Sequence, residues 1–207
     1  MYITNNRHGH KETFGRLYEI AEAQGGYFTT KQAESAGFSQ KNHGYHVRAG
    51  NWLRERRGIY CLARFPATER PDLMLWWLWS RNRSDKPQGV YSHETALSLY
   101  DLSDISPARL HMTVPRSFQR RRTLSKIPDL HRASVHKDDI GIRFGVKVTR
   151  PLKTIVDLLT TRTVQLDHMQ QAVKEAFQRG LITRTELERA KRIPAAIKKE
   201  IEQLKGD

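Results

Sequence analysis

The stretch LYEIAEAQGGYFTTKQAESAGFSQKNHGYHVRAGNWLRERRGIYCLA, residues 17–63, decides the fold of the N-terminal part of the chain. Around its start, apolar residues recur at three- and four-residue steps, which predicts a helix over residues 11–24 with one buried face. The pair Gly25-Gly26 ends that helix, because glycine adopts the left-handed conformation of a helix cap. The next pair, Tyr27-Phe28, is long enough to form a very short β-strand that pairs with a later hairpin.

Two short helices joined by a turn are predicted next. A threonine caps a helix over residues 31–36, and Ser39 caps a second helix over residues 40–49. Gly37 makes the turn between them. This helix, turn and helix have the lengths of a helix-turn-helix motif.

A β-hairpin is predicted after the second short helix. Strand-forming residues alternate over residues 51–55 and 58–63, with a tight turn at Arg56-Arg57. The complete order is therefore helix, short strand, helix, turn, helix, hairpin. That order predicts a winged helix-turn-helix domain over residues 1–66, a module that binds DNA.

The second short helix would enter the major groove of DNA with its N-terminal residues leading. Its glutamine and asparagine can form bidentate hydrogen bonds with adenine, and its lysine can bind guanine or phosphate. Periodicity turns Gly44 and Val47 inward, with Tyr45 as the alternative buried anchor. The same periodicity turns Asn42 and His46 outward, and an ordinary solvated helix is the alternative to one that contacts bases. The contacts predicted in the two short helices are Thr30, Lys31, Ser39, Gln40, Lys41, Asn42, His43, His46 and Arg48.

The hairpin is the predicted wing. Arg54, Arg56 and Arg57 crowd its tip, and only Glu55 opposes them. Arginines on a turn beside a recognition helix are well placed for phosphates or the minor groove. They would supply affinity and salt dependence rather than sequence discrimination.

Residues 67–207 are expected to form a second domain of the α+β class, with basic surface and a helical end. A tryptophan-rich helix is predicted over residues 72–81, near the start of this region. It is either deeply buried or packed between the domains, and a protein interface is the alternative. Asp138-Asp139 and Gly141 are assigned to a turn. The predicted helices are residues 93–100, 152–160, 164–179, 184–193 and 195–205, and the predicted strands are residues 110–114, 130–136, 140–144 and 146–149.

A long segment of this second domain contains no acidic residue. Between Asp104 and Asp129 every charged side chain is basic. We interpret the segment as a second phosphate-contacting surface, and a mobile solvated loop is the alternative. The basic residues assigned to this second surface are Arg116, Arg120, Arg121, Arg122 and Lys126.

Composition favours an anionic partner. The chain has a formal net charge of +14, which favours nucleic acid as the first candidate partner and an anionic membrane as the second. The alternative is a basic surface that only keeps the protein soluble. No apolar stretch approaches the roughly 20 residues of a membrane span, and no signal peptide is visible, so a cytoplasmic protein is expected. Cys61 is the single cysteine, which excludes an intrachain disulfide. The nine histidines are scattered, which indicates no metal site.

Motifs of catalysis are absent from the sequence. There is no phosphate-binding G-x-x-x-x-G-K-[ST] loop, no G-x-G-x-x-G and no G-x-S-x-G. No glutamate is followed two residues later by lysine, so half of a common metal-dependent nuclease motif is missing. We therefore predict neither an enzyme nor a cofactor.

Six short motifs resemble those of the AbiEi family. The pattern G-x-F-T-x-x-Q-A-x-x-A-G-[FY]-S is followed by Y-H-V-x-x-G-x-W and R-G-[IV]-Y in the N-terminal part. The segments YSHETALSLYDLSD, LHMTVP and VTRPLKTIVDLL are similar to the C-terminal domain of the family. AbiEi proteins are antitoxins and transcriptional regulators of bacterial type IV toxin–antitoxin systems, which act in abortive infection against phage.

The resemblance implies autorepression and a toxin partner. Such antitoxins bind double-stranded DNA at repeats in their own promoter through the winged helix, and basic surface on the C-terminal domain contributes. The implied form is a monomer that binds repeated sites cooperatively. The implied toxin is nucleotidyltransferase-like, and its neutralisation needs no stable complex. A solitary regulator without a toxin, or an antitoxin that binds its toxin directly, remains the alternative.

Overall fold

The computed structural model of the chain describes residues 5–120 and 128–206. It divides into two compact units, the first ending at Gln88 and the second beginning at Gly89. The sequence placed the division after residue 66, which is earlier. The structural division is later because the tryptophan-rich helix packs on strands of the first unit.

The first unit has the predicted order of elements. Its three-stranded antiparallel sheet has the strand order β1-β3-β2, and β1 pairs with β3 through three residues. Four helices complete the unit. The elements are α1 (Asn5–Glu22), β1 (Tyr27–Thr29), α2 (Thr30–Ala36), α3 (Gln40–Arg48), β2 (Trp52–Arg56), β3 (Ile59–Leu62) and α4 (Pro71–Trp79).

An aromatic core holds these elements together. The Trp52 ring meets Phe28 and Phe38 edge to face, with centroid distances of 4.9 and 5.1 Å. Leu17 of α1 and Ala33 of α2 are fully buried beside them. Each aromatic pair adds roughly 0.5–1.5 kcal/mol beyond the area that it buries. The Trp52 ring therefore joins β1 and the turn before α3 to the hairpin.

Helix α4 belongs to the core of the first unit. Trp76 and Trp79 are buried, Trp77 is half-buried, and the helix packs on β1 and β3. The prediction of a deeply buried helix is thus confirmed.

The second unit is a mixed sheet covered by helices. The strand order is β6-β5-β4-β8-β7, with β4–β8 and β5–β6 parallel and the other two pairs antiparallel. The α+β class is confirmed. Its elements are β4 (Val90–Tyr91), α5 (His93–Leu99), β5 (His111–Val114), β6 (Asp129–Arg132), β7 (Ile140–Arg143), β8 (Val146–Thr149), α6 (Pro151–Thr161), α7 (Leu166–Gln178), α8 (Arg184–Arg189) and α9 (Ala195–Lys205).

In the second unit, the sequence patterns misassigned Gly141 and missed strand β4. Gly141 lies within β7 opposite Val148 rather than in a turn. A side chain at that position would come within 3.0 Å of the Tyr100 hydroxyl, so glycine serves close packing there. Strand β4 was missed, because two residues cannot show a periodicity. No helix among residues 5–120 and 128–206 is long and apolar enough to cross a membrane.

Candidate nucleic-acid interface

Two histidines predicted to contact DNA lie inside the first unit instead. His43 and His46 of α3 are 3% and 5% exposed. The His46 ring stacks on Trp52 at 4.6 Å, and His43 Nε2 lies 3.4 Å from the carbonyl oxygen of Phe38. Their assignment as base contacts is therefore wrong. Periodicity treated histidine as polar, whereas here its flat ring packs against the central tryptophan.

Burial of these rings determines which face of α3 is exposed. Gly44, predicted to face inward, is exposed, and Tyr45 is 60% exposed and so is not the buried anchor. Val47 packs partly buried against the core, as predicted. Asn42 faces outward, also as predicted. The exposed residues of α3 and its preceding turn are Ser39, Gln40, Lys41, Asn42, Gly44, Tyr45 and Arg48.

The start of α2 is held by the hairpin and by a later loop. Thr29 caps α2 through a capping box with Gln32. The Thr30 amide donates to the carbonyl oxygen of Gly58 at 3.2 Å. Exposed Lys31 donates through Nζ to the carbonyl oxygen of Arg83 at 2.6 Å. Thr30 and Lys31 thus lie beside the tip of the hairpin, with Thr30 half-buried.

The wing contains a bulge that separates its arginines. Arg54 pairs with Tyr60 and Arg56 pairs with Ile59, so Glu55 is the extra residue. The turn falls at Arg57-Gly58, one position later than predicted, and Gly58 has a φ of 73°. Arg54 and Arg57 are exposed. A bulge redirects side chains in this way because it adds one residue to one strand only.

Arg56 points into the first unit rather than away from the wing. Its guanidinium carbon lies 4.0 Å from the centroid of the Trp76 ring. Its Nε is buried and has no hydrogen-bond partner in the part of the chain that the structure describes. Its assignment as a free phosphate contact is therefore corrected: Arg56 joins β2 to α4 by a cation–π contact.

An ion pair behind the wing holds its turn, and no sequence pattern predicted this pair. Arg81 Nε lies 2.9 Å from Asp85 Oδ1, and both side chains are largely buried. Arg81 Nη2 also donates to the carbonyl oxygen of Gly58 at 2.8 Å. Asp85 in turn accepts a short hydrogen bond from the Thr29 hydroxyl, at the cap of α2. The turn of the wing and the start of α2 are thus joined through one charge pair.

Four cations on α3 and the wing have no anionic partner among the described residues. Lys41, Arg48, Arg54 and Arg57 form no salt bridge with any of residues 5–120 and 128–206. Other arginines of the unit do pair, as Arg16 does with Glu12. The four side chains are therefore available to an external polyanion.

The predicted second basic surface is described only in part. Arg116 is exposed and Arg120 is half-buried, while Arg121, Arg122 and Lys126 lie outside the described residues. Phe118 between them is buried, and its carbonyl oxygen accepts from Arg132 Nη1 at 2.6 Å. The segment up to residue 120 is thus attached to the second unit, unlike a fully solvated loop.

A cluster of three histidines in the second unit was not anticipated. The His93 and His131 rings stack at 3.5 Å, and His111 Nδ1 lies 3.1 Å from His131 Nε2. Burial, reinforced by the two neighbouring rings, lowers the pKa of His93 to about 3. No group of three or more candidate ligands within the described ranges has the arrangement of a metal site. The cluster joins α5, β5 and β6, which no linear pattern reveals.

The comparison with protein families identifies the segment around α3. The family described as AbiEi antitoxin transcriptional regulator matches residues 16–63. The match confirms the resemblance that the three N-terminal motifs predicted, and the family is described as one of transcriptional regulators and antitoxins. No curated protein matches the chain.

A solved structure shares the fold. The crystal structure of the RV2827C protein from Mycobacterium tuberculosis superposes with a TM-score of 0.60 over 94% of this chain and 78% of that one. The two sequences are 13% identical. At that identity, the likeness concerns the fold alone.

Proposed function

We propose that this protein is a sequence-specific DNA-binding autorepressor and the antitoxin of a type IV abortive-infection system. The observation that supports DNA binding most directly is a set of exposed cations on α3 and the wing that form no salt bridge with the part of the chain that the structure describes. They are Lys41, Arg48, Arg54 and Arg57. In winged helices, the helix in the position of α3 and the wing are the two elements that contact the major groove and the backbone. The match of residues 16–63 to a family of antitoxin regulators supports the biological role.

Within this proposal, base contacts and backbone contacts come from different residues. Gln40 and Asn42 present amides that pair bidentately with adenine, and Lys41 suits guanine or phosphate. Ser39 and Arg48 flank them on the exposed side of α3. Arg54 and Arg57 neutralise phosphates, and Arg116 adds a contact from the second unit.

Footprinting on DNA upstream of the gene tests the proposal. We expect protection of repeated sequence elements, with affinity falling steeply as salt rises, because bound cations displace condensed counterions. A scrambled duplex of the same composition is the control. Equal binding to both duplexes, or no protection at low salt, would contradict a sequence-specific repressor.

The antitoxin role has its own test. Expression of the adjacent downstream gene should arrest growth if it encodes a nucleotidyltransferase-like toxin, and co-expression of this protein should restore growth. Because neutralisation is proposed to need no stable complex, the two proteins should not co-purify. A stoichiometric complex would favour direct toxin binding, and a neighbour without toxicity would leave a solitary regulator.

A further inference from the structure

The middle of α3 contains an exposed glycine that the fold does not require. Gly44 has no positive φ, and a Cβ added there would meet only Arg48 Nη1, at 3.5 Å. That is an ordinary contact with the end of a flexible side chain. A glycine inside a helix nevertheless makes the folded protein less stable than an alanine would, because the glycine backbone loses more conformational freedom on folding.

Other glycines of the first unit have evident reasons. Gly37 adopts a φ of 109° at the cap of α2, and Gly26 has a φ of 90° with the Phe65 ring 2.7 Å from a would-be Cβ. Gly58 likewise has a positive φ and lies under Arg81. Gly15, in α1, is different: it is exposed and has nothing within 4 Å of an added Cβ. Gly15 is thus a matched reference for an exposed helical glycine outside α3.

The surroundings of Gly44 distinguish it from Gly15. Lys41 lies one turn before it and Arg48 one turn after it, both exposed and without ionic partners in the described chain. Residues three and four apart lie on the same face of a helix. Gly44 is therefore a gap between two cations on the face that we assign to DNA.

We propose that Gly44 is the point where α3 approaches the floor of the major groove most closely. Without a Cβ, the helix backbone comes about 1.5 Å nearer to the base edges. Lys41 and Arg48 then reach bases or phosphates on either side. This inference rests on the proposed DNA-binding function and adds a steric requirement at one position.

Substitution should separate stability from DNA binding. For Gly44→Ala in the full chain, we expect the unfolding midpoint to rise by roughly 2–4 °C. The probe is the tightest duplex selected by the wild-type protein from a random-sequence pool. Affinity for this duplex should fall about tenfold or more, as expected for one extra methyl group in a packed contact. Affinity for a scrambled duplex should change little, because a non-specific complex does not require the same approach to the bases.

Two further variants make the test decisive. Gly15→Ala should raise the midpoint comparably and leave DNA affinity unchanged. Gly44→Leu retains good helix propensity but is larger, so its loss of affinity should exceed that of Gly44→Ala. Equal losses for alanine and leucine would mean that Gly44 supplies flexibility, which would overturn the proposal. Wild-type affinity in Gly44→Ala would also overturn it, whereas failure of the wild-type protein to select any duplex would instead contradict the proposed function.

Discussion

At the scale of residues, position on α3 separates candidate base contacts from core. His46 stacks on Trp52 while Asn42, four residues earlier, is exposed. Helical periodicity predicted that both would face outward. Asn42 is therefore the residue on which a prediction about base discrimination now rests.

Asn42→Ala should reduce discrimination between the selected duplex and a scrambled one by about 1–3 kcal/mol, the amount that one bidentate pair contributes. Competition binding with the two duplexes measures the ratio. Gln170→Ala, at an exposed amide on α7, is the control and should leave the ratio unchanged. An unaltered ratio for Asn42→Ala would show that Asn42 does not contact the bases.

Two neighbouring arginines of the wing should behave differently. Arg57→Ala should weaken binding to every duplex and reduce the slope of log K against log salt by about one unit. Arg56→Ala should chiefly lower the free energy of unfolding, by about 0.5–2 kcal/mol, because it removes the contact with Trp76. Denaturant titration and salt-dependent binding of both variants provide the comparison. Equal salt slopes in the two variants would contradict this division.

At the scale of elements, the stability of the wing depends on residues beyond the hairpin. The Arg81–Asp85 pair touches both Gly58 and Thr29. Asp85→Asn would leave a largely buried guanidinium without its counter-charge, which costs about 3–5 kcal/mol when a pair is fully buried. We expect about 2–4 kcal/mol here, because both side chains retain slight exposure.

The Arg70–Asp72 pair supplies the control for that change. Its two side chains are 33% and 44% exposed, and exposed pairs contribute roughly 0–1 kcal/mol. Asp72→Asn should therefore alter the denaturation midpoint far less than Asp85→Asn. Similar losses in the two variants would show that burial of the Arg81–Asp85 pair is unimportant.

Local patterns predicted the elements well and their long-range contacts poorly. The helix bounded by Pro194 and Gly206 was predicted at its observed limits, since its boundary residues lie in the sequence itself. By contrast, the contact of Arg56 with Trp76 and the stack of His93 on His131 join distant segments. Periodicity also misplaced His46, and His43 was wrongly counted among the leading residues of the helix. An imidazole packs as an aromatic ring when tryptophan is its neighbour.

At the scale of the whole molecule, the three-histidine cluster makes stability depend on pH. Burial beside His131 and His111 lowers the pKa of His93 to about 3, and burial also lowers the pKa of His131. Unfolded histidine titrates near pH 6.5. Between about pH 6.5 and 3 the unfolded chain thus binds more protons, so acidification destabilises the folded chain. Glu94, Lys153 and Asp129 are the other charged groups facing the cluster.

The free energy of unfolding should fall by up to about 1.4 kcal/mol per pH unit below 6.5 on account of His93 alone. His93 has a φ of 53°, which asparagine also tolerates. His93→Asn should therefore flatten the decline between pH 7 and 5, as measured by denaturant midpoints at both values. An unchanged slope in His93→Asn would contradict the assignment.

The two-residue strand β4 has a consequence for how the chain folds during synthesis. Strand pairing in the first unit is complete once Leu62 has left the ribosome. In the second unit, Tyr91 is synthesised early, yet it pairs with both Met112 and Val148. The central strand pairs of that sheet therefore cannot form until Val148 has been synthesised. Such non-local pairing slows folding. The segment proposed to read DNA should therefore be native on the nascent chain before the second unit has closed.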